Sequence, residues 1–534
     1  MVDVLIIGSG GAGLSAALAA KQAGASVVVA GKSYPTNSQT SMAQGGINAA
    51  LGNATCDDIA LHIADTLKSG HGLGSEVMVE RMCNDALRTI AWLDSIGVPF
   101  SRLDNNKTGT KSIAQRQMGG ARAKRACYAQ DYTGLKILHT LYDTSLKEEI
   151  DFLDEYYLLN LVTKEGMVKG ATFLQMRTGE VIQIDAKSVI IATGGYGSIY
   201  HGFTTNAYGA TGDGIAAALR AGGSISDMEF IQFHPTALKH SGILISESAR
   251  GEGGYLVNSD GERFIDELKP RDEVARAIFI QLQEGKEVFL DVRHLGTEKL
   301  MELLPQEMAL CKLHEQVDPA TELIPIKPVA HYTMGGIDVD TALEVNGIKG
   351  CFAVGECSNA KVHGANRLGG NSLLEITAFG KFAGENAAKY ALNADSKTAQ
   401  TAQLEKDKRF IQGIYERENV LNFYTYREEL GRRFYQDVGI IRHNASLSRI
   451  LDAAVAMQTA LCKMGIEDKS RTHNTNLTDF LEFSNALLLA PAIISSAIAR
   501  DESRGAHFKE GFEAENDEKF KKHIVIQWNK EATV

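Results

Sequence analysis

The chain has no Cys-x-x-Cys pair, and its seven cysteines (Cys56, Cys83, Cys127, Cys311, Cys351, Cys357 and Cys462) are scattered and odd in number. That spacing offers no disulfide framework, zinc site, haem attachment or iron-sulfur ligand set, so any cluster serving this chain is expected on another one, and no metal is expected here. Basic charge is also short: 55 Lys and Arg against 66 Asp and Glu leave a net charge of -11 and a pI near 5.8. Proteins that neutralise a phosphate backbone carry a basic face, so nucleic acid is excluded as a partner. Long apolar runs are missing too. The longest, Ala486 to Ala499, is shorter than the ~20 residues that span a bilayer and contains Pro491, so it reads as a buried helix. No internal repeat or low-complexity tract is visible, and prolines number only nine in 534 residues. A strand-like run, Val2 to Ile7, directly follows the initiating Met with no charged and apolar leader pattern, which sets a cytoplasmic expectation.

What is present is glycine placed against chemistry. The run Val2 to Ile7 enters G-S-G-G-A-G (Gly8, Ser9, Gly10, Gly11, Ala12, Gly13), followed by an Ala/Leu-rich helical stretch, Leu14 to Ala23, and a second strand, Ser26 to Ala30. A strand, a glycine turn and a helix in that order let backbone amides approach a pyrophosphate at the helix N-terminus. The acid that usually binds a ribose hydroxyl about 20 residues further on is missing, because the second strand ends in Ala30, Gly31 and Lys32. Glu356, after the apolar run Cys351 to Val354 and Gly355, supplies an acid at a late position that suits a flavin dinucleotide, so FAD is expected rather than NAD. Two further glycine loops, His331 to Gly336 (H-Y-T-M-G-G) and His363 to Glu375 (H-G-A-N-R-L-G-G-N-S-L-L-E), carry Arg367 and two histidines that can meet a small dianion beside the flavin.

The strand Ser188 to Ile191 runs into A-T-G-G-Y-G (Ala192, Thr193, Gly194 to Gly197), so the nucleotide domain is discontinuous. The length allows roughly three to four domains. The expected fold class is α/β: a Rossmann-like FAD-binding domain over 1–230 and 329–395, an inserted α+β capping domain over 231–328, and a helical C-terminal domain over 396–534, where charged amphipathic periodicity replaces the glycine turns.

Ten motifs in order then carry a resemblance over nearly the whole chain. They are Y-P-T-N-S-Q-T from Tyr34 with Q-G-G-I from Gln44, R-A-C-Y-A-Q-D-Y-T-G from Arg125, T-G-D-G from Thr211, F-H-P-T from Phe233, S-E-S-A-R-G-E-G from Ser246, P-R-D from Pro270, H-Y-T-M-G-G from His331, G-E-C from Gly355, H-G-A-N-R from His363, and R-D-E-S-R-G-A-H from Arg500. The sequence resembles the flavoprotein subunits of the succinate dehydrogenase and fumarate reductase family. The resemblance implies flavin contacts at Gly8, Gly10, Gly11, Ala12, Gly13, Lys32, Ser38, Gln39, Thr40, Gly45, Gly46, Ala192, Thr193, Gly194, Asp213, Glu356, Asn371, Ser372 and Leu373. It implies that His234, Thr236, Ser246, His331 and Arg367 hold a C4 dicarboxylate, fumarate or succinate, with Met118 beside it. Arg271 matches the proton donor, and Glu247 with Arg250 the relay that reloads it. An Arg donor strains the rule that guanidinium does not deprotonate, and requires neighbouring cations and a close carboxylate. Partners implied are an iron-sulfur subunit and a further electron-input or membrane-anchor subunit, which would place the chain at the inner face of a membrane.

Plainer readings exist for single residues. A lone His is commonly a hydrogen-bonded structural residue. Glu247 and Arg250 alone could be a helix-surface pair worth ~0.3 kcal/mol, and Arg271 could cap through Asp272. Arg504 and His507 read as structural. L-aspartate oxidase, a related enzyme, usually has Glu at the position of Met118, Cys at that of Met334 and M-A-S-N-S where this chain has Leu368 to Ser372; all three differences favour the dicarboxylate enzyme. A flavin-binding electron carrier without turnover would need neither a proton donor nor a dicarboxylate clamp.

At the family's flavin-attachment histidine this chain has Gln39. An amide cannot form the link to the flavin 8α-carbon, so the flavin is expected to be noncovalent and the chemistry biased toward fumarate reduction. Acid precipitation of the purified protein should leave the yellow colour in the supernatant; colour in the pellet would remove this reading.

Overall fold

The structure is a computed structural model describing residues 1–104, 111–394 and 402–527. Four parallel strands pair around the first: β1 (Val2–Ile7) lies between β2 (Val27–Gly31) and the long strand Glu180–Ile191, with Asp151–Asp154 beyond β2. The long strand does two jobs. Its second half runs parallel to β1 and to Cys351–Ala353, while its first half turns outward and pairs antiparallel with Met167–Gln175, which pairs in turn with Tyr156–Lys164. The strand read as Ser188 to Ile191 is therefore its buried end: both faces are covered, Val189, Ile190 and Ile191 are apolar, and the Ser188 hydroxyl donates to the Gly350 carbonyl.

Helix α1 (Gly11–Gln22) starts three residues before the expected Leu14, and Gly11 to Ala20 are all buried. The helix Asn371–Asn393 packs along it. Small residues make this approach possible: a Cβ on Gly384 would sit 2.2 Å from the carbonyl oxygen of Ala16, and one on Gly380 2.7 Å from Ser15 Cβ. Both helices consequently start at the same end of the sheet, where the parallel strands deliver their glycine turns.

The capping segment forms an antiparallel sheet of Ile231–Leu238, Ile324–Thr333, Val288–Asp291 and Tyr255–Asn258, with its own apolar core around Leu256, Val274, Leu290 and Ile326. The strand Ile324–Thr333 runs without a break past residue 328, so His331 belongs to the same sheet as His234. After this segment the chain returns to the first domain and then becomes helical; the boundary placed at 395/396 lies outside the described residues. The apolar run Ala486 to Ala499 is the end of a longer helix, Thr475–Ala499, which starts where Asn474 accepts a hydrogen bond from the Leu477 amide. This helix alone, among the described residues, has the length and composition to cross a membrane, yet 67% of its most apolar window is buried inside the protein. The last described strand, Val525–Gln527, pairs with Ser224–Ser226 and ties the C-terminal segment back to the first domain.

Because Gly384 meets backbone rather than a yielding side chain, Gly384→Val should force the two helices apart. The expected cost is about 1–3 kcal/mol, read as a lower melting temperature together with faster loss of bound nucleotide; an unchanged melting temperature would count against this crossing.

Candidate active site

A cleft of ≈ 460 Å³ runs along the carboxyl ends of the parallel strands and under the capping sheet. Its nucleotide half collects Gly8, Gly10, Gly11, Ala12, Lys32, Ser38, Gln39, Thr40, Gly45, Gly46, Ala192, Thr193, Gly194, Asp213, Glu356, Ser372 and Leu373. Gly8 is held at φ +111, and a Cβ there would lie 2.2 Å from the Ala192 carbonyl oxygen, so no other residue fits between the Gly8 turn and the turn at Ala192. No side chain caps the first turn of α1 at Gly10, although Thr40 Oγ1 accepts from the Gly11 amide at 3.1 Å. Ser38 Oγ, Gln44 Oε1 and Thr193 Oγ1 are buried with no hydrogen-bond partner among the described residues, and all three residues line the cleft. Orphaned hydroxyls and uncapped helix starts around a shared space fit a polar, anionic nucleotide.

Two expected members of this half do other things. Gly13 does not line the cleft; a Cβ there would be 1.9 Å from the Gly8 carbonyl oxygen, so its part is close packing of helix on strand. Asn371 is also behind the wall: Oδ1 accepts from Asn48 Nδ2 at 2.8 Å and lies 3.0 Å from His62 Nε2, while Nδ2 donates to Thr66 Oγ1. Lys32 and Asp213 line the cleft but are occupied with each other. The Lys32 ammonium lies 2.6 Å from Asp213 and 2.7 Å from Glu482 on the helix Thr475–Ala499, and Tyr157 and Asn485 also donate to Asp213.

The other half gathers Met118, His234, Ser246, Glu247, Arg271, His331 and Arg367. Arg271 is the first residue of the helix Arg271–Gln283, so its side chain leaves at the helix start and reaches across to Glu247. Nε and Nη2 donate to Glu247 Oε2 at 2.9 and 2.5 Å, and Nη1 donates to Gln232 Oε1 at 3.1 Å. The neighbouring Asp272 instead accepts from Asn366, so the capping alternative for Arg271 does not hold. Gln232 Oε1 also accepts from Arg367 Nη2 at 3.2 Å, which joins the two arginines through one amide. Sequence reasoning missed Gln232, although its i, i+2 spacing to His234 on a strand puts both on one face. It also missed Tyr332, whose ring lies 4.3 Å below the Arg367 guanidinium. Behind Glu247, Arg250 approaches Oε1 at 3.7 Å and donates Nη1 to the Glu267 carbonyl; it is buried outside the cleft, not on a helix surface. Thr236 does not line the cleft either. Its amide donates to His234 Nδ1 at 3.2 Å and its hydroxyl to the Ile245 carbonyl, so it orients His234.

Electrostatically the site is short of negative charge. Burial alone would raise the Glu247 carboxyl, but Arg271 and Arg250 outweigh it and hold the group below its ordinary range. Burial lowers Arg367 to about 10, with the Arg271 charge adding to the effect. His234 and His331, with ring centroids 4.8 Å apart, are both pushed far down by burial and then by nearby cations, so each is a neutral hydrogen-bonding ring at neutral pH. Three guanidinium groups around one carboxylate leave an excess of positive charge that an entering dianion would offset. In the nucleotide half, burial raises Glu356 to about 7 against the hydrogen bonds from Thr333.

Residues 3–373 match the family described as FAD binding domain, and residues 427–534 that described as fumarate reductase flavoprotein C-term. The 8-methylmenaquinol:fumarate reductase flavoprotein subunit of Wolinella succinogenes is 40% identical over 98% of this chain and 88% of its own length. The chain belongs to the fumarate reductase and succinate dehydrogenase flavoprotein family. The succinate dehydrogenase flavoprotein subunit of Rickettsia bellii is 37% identical over 98% of this chain and 92% of its own length. A solved quinol-fumarate reductase with menaquinol molecules superposes with a TM-score of 0.92, at 37% identity, covering 98% of this chain and 95% of that one. The chain is thus an FAD-binding oxidoreductase, and the orphaned Ser38 and Thr193 hydroxyls with the uncapped α1 fit its FAD. Arg504 and His507, expected to be structural, do not line the cleft: Arg504 is held by Glu502 and Asp517, and His507 Nδ1 lies 2.6 Å from Arg442.

Proposed function

We propose that this flavoprotein interconverts fumarate and succinate, running chiefly as a fumarate reductase. The observation that carries the reading is the Arg271–Glu247–Gln232–Arg367 constellation roofing the same cleft that the glycine turns floor. FAD, when bound, supplies or accepts the hydride. Arg367 offers its guanidinium to a substrate carboxylate, and His234, His331 and Ser246 orient the dianion. Donors fixed around one carboxylate stabilise the charge that develops as the neighbouring carbon is reduced. Burial under the capping sheet excludes water and strengthens each of these contacts. Arg271 then protonates the second carbon, with Glu247 bound to two of its nitrogens and Arg250 behind to return the proton.

Gln39 lines the cleft and accepts from the Ala207 amide at 2.8 Å; an amide at this position, which cannot bond the flavin carbon, supports noncovalent flavin and with it the reductive bias. Met118 is buried against Gly45 and Gly369, and its thioether gives the substrate half an apolar wall where an amine-binding acid would favour an amino-acid substrate. Electrons are proposed to arrive through an iron-sulfur subunit, with the chain peripheral on the inner face of a membrane through its partners. This follows the multi-subunit nature of the named relatives.

Dye-linked reduction of fumarate by the flavin-loaded protein tests the activity. Arg271→Ala should lower kcat by roughly 10²-fold or more while FAD stays bound; retained turnover would remove it as proton donor. Met118→Glu should raise the KM for fumarate roughly ten-fold by repulsion in a desolvated site; an unchanged KM would place Met118 outside the substrate's reach.

A further inference from the structure

Behind the substrate half, between the capping and FAD-binding segments, lies a buried pair of acids that the reaction above does not use. Asp131, in the loop between Ala126–Cys127 and the helix Thr133–Lys147, is fully buried. Its Oδ2 accepts from the amides of Gln306 and Glu307 at 2.8 and 3.1 Å, which are the open first turn of the capping-domain helix Pro305–His314. That helix has no side-chain cap of its own, so the cap is supplied from the other domain. From that same turn, Glu307 Oε1 accepts from the Ser246 amide at 2.9 Å. Ser246 is in turn the N-cap of Glu247–Gly251, with its Oγ accepting from the Ser248 amide, and this short helix carries both Glu247 and Arg250. An unbroken series of hydrogen bonds therefore runs from the FAD-binding domain through Asp131 and Glu307 to the start of the relay helix.

The remaining oxygens of the pair, Asp131 Oδ1 and Glu307 Oε2, are buried with no partner among the described residues. Arg116 is the nearby cation. It stacks 3.7 Å over the Tyr128 ring, donates to the Gln130 carbonyl and stands 3.8 Å from Glu252, while its Nε and Nη1 make no hydrogen bond among the described residues. Cys311, one turn along the same helix, and Tyr132, beside Asp131, complete the titratable surroundings. Burial raises the Asp131 carboxyl as well, and with Arg116 the one cation beside these acids among the described residues a second buried negative charge has nothing to compensate it, whereas a carboxylic acid would bring a proton donor to two orphaned acceptors.

Resting on the fumarate-reducing reading of this cleft, we propose that Glu307 is a positioning residue: as a neutral carboxylic acid it fixes Ser246 and the relay helix against the FAD-binding domain. Consistently, burial first and the Asp131 charge second raise Glu307 to about 8. A carboxyl raised from the ordinary 4.5 to about 8 keeps a proton on folding that the unfolded chain releases. Its support is therefore complete in acid, weakens as pH rises, and is lost above about 8.

The test uses the flavin-loaded protein. In dye-linked fumarate reduction, Glu307→Ala should raise KM about five-fold with a smaller change in kcat, because the Ser246 amide loses its acceptor. Glu307→Gln, neutral at all pH and able to accept and donate, should recover most of that loss. It should also flatten the rise in KM that the proposal predicts for the wild type above about pH 8. A Gln variant whose KM–pH profile overlies the wild type overturns the proposal. Infrared difference spectra supply a readout that needs no turnover: a protonated carboxyl band at neutral pH, lost on alkaline titration and absent in Glu307→Gln. If that variant does not fold, Asp131→Asn carries the test, since removing the neighbouring charge must move the band's midpoint below about 8, and an unmoved midpoint overturns the proposal. Absence of fumarate turnover with the band present would count against the proposed activity instead.

Discussion

One carboxylate surrounded by buried guanidinium groups is the constraint on which the rest of the molecule turns. Glu247 is pinned by two nitrogens of Arg271 and by the Gly119 amide, with Arg250 behind it. Removing such charges from water is costly, and only good geometry repays it. The surroundings leave no slack: a Cβ on Gly119 or Gly369 would fall 2.3 or 2.6 Å from the Glu247 oxygens. The glycine loops on this side of the cleft thus make room for a charge cluster, as those on the other side make room for a nucleotide.

That cluster is assembled from distant parts of the chain. Gln232 and His234 come from one strand of the capping sheet and His331 from its neighbour, Glu247 and Arg271 from the starts of two capping helices, and Arg367 from a loop that leads into the helix packed on α1. The site is therefore complete only when the capping segment sits on the FAD-binding segment. The Asp131 cap on the helix Pro305–His314 is one contact that sets this relation. On the far side of the nucleotide half, the Lys32–Asp213–Glu482 triad ties the helical segment to the same cleft, and Arg500, fully buried, pairs with both Glu229 and Glu502. Buried ion pairs of this kind add little net stability compared with apolar packing. They do fix which surfaces meet.

Much of the architecture was legible because it rests on local physics. The glycine fingerprint, the turns at Ala192 and Gly355, and the apolar strands between them obey backbone rules that neighbouring residues state outright, and the cleft forms where those turns were read. The arginines and histidines were legible through motif order, since single residues of these types are ambiguous. What escaped was indirect. Thr236, Asn371 and Gly13 stood in the right motifs but serve the site from behind it, holding His234, the start of the helix Asn371–Asn393, and the packing of α1. Gln232 and Tyr332, between two motif residues or beside one, turned out to touch the arginines directly.

The sequence by itself therefore determined the nucleotide cradle, the fold class and the inventory of charged groups, because periodicity, glycine spacing and residue chemistry act over a few residues. Only the tertiary structure decided which groups face the cleft and which stand behind it, and which charges satisfy one another. Those outcomes depend on distances between segments hundreds of residues apart and on how far burial strips each group of water, and neither quantity is written in any local stretch of chain.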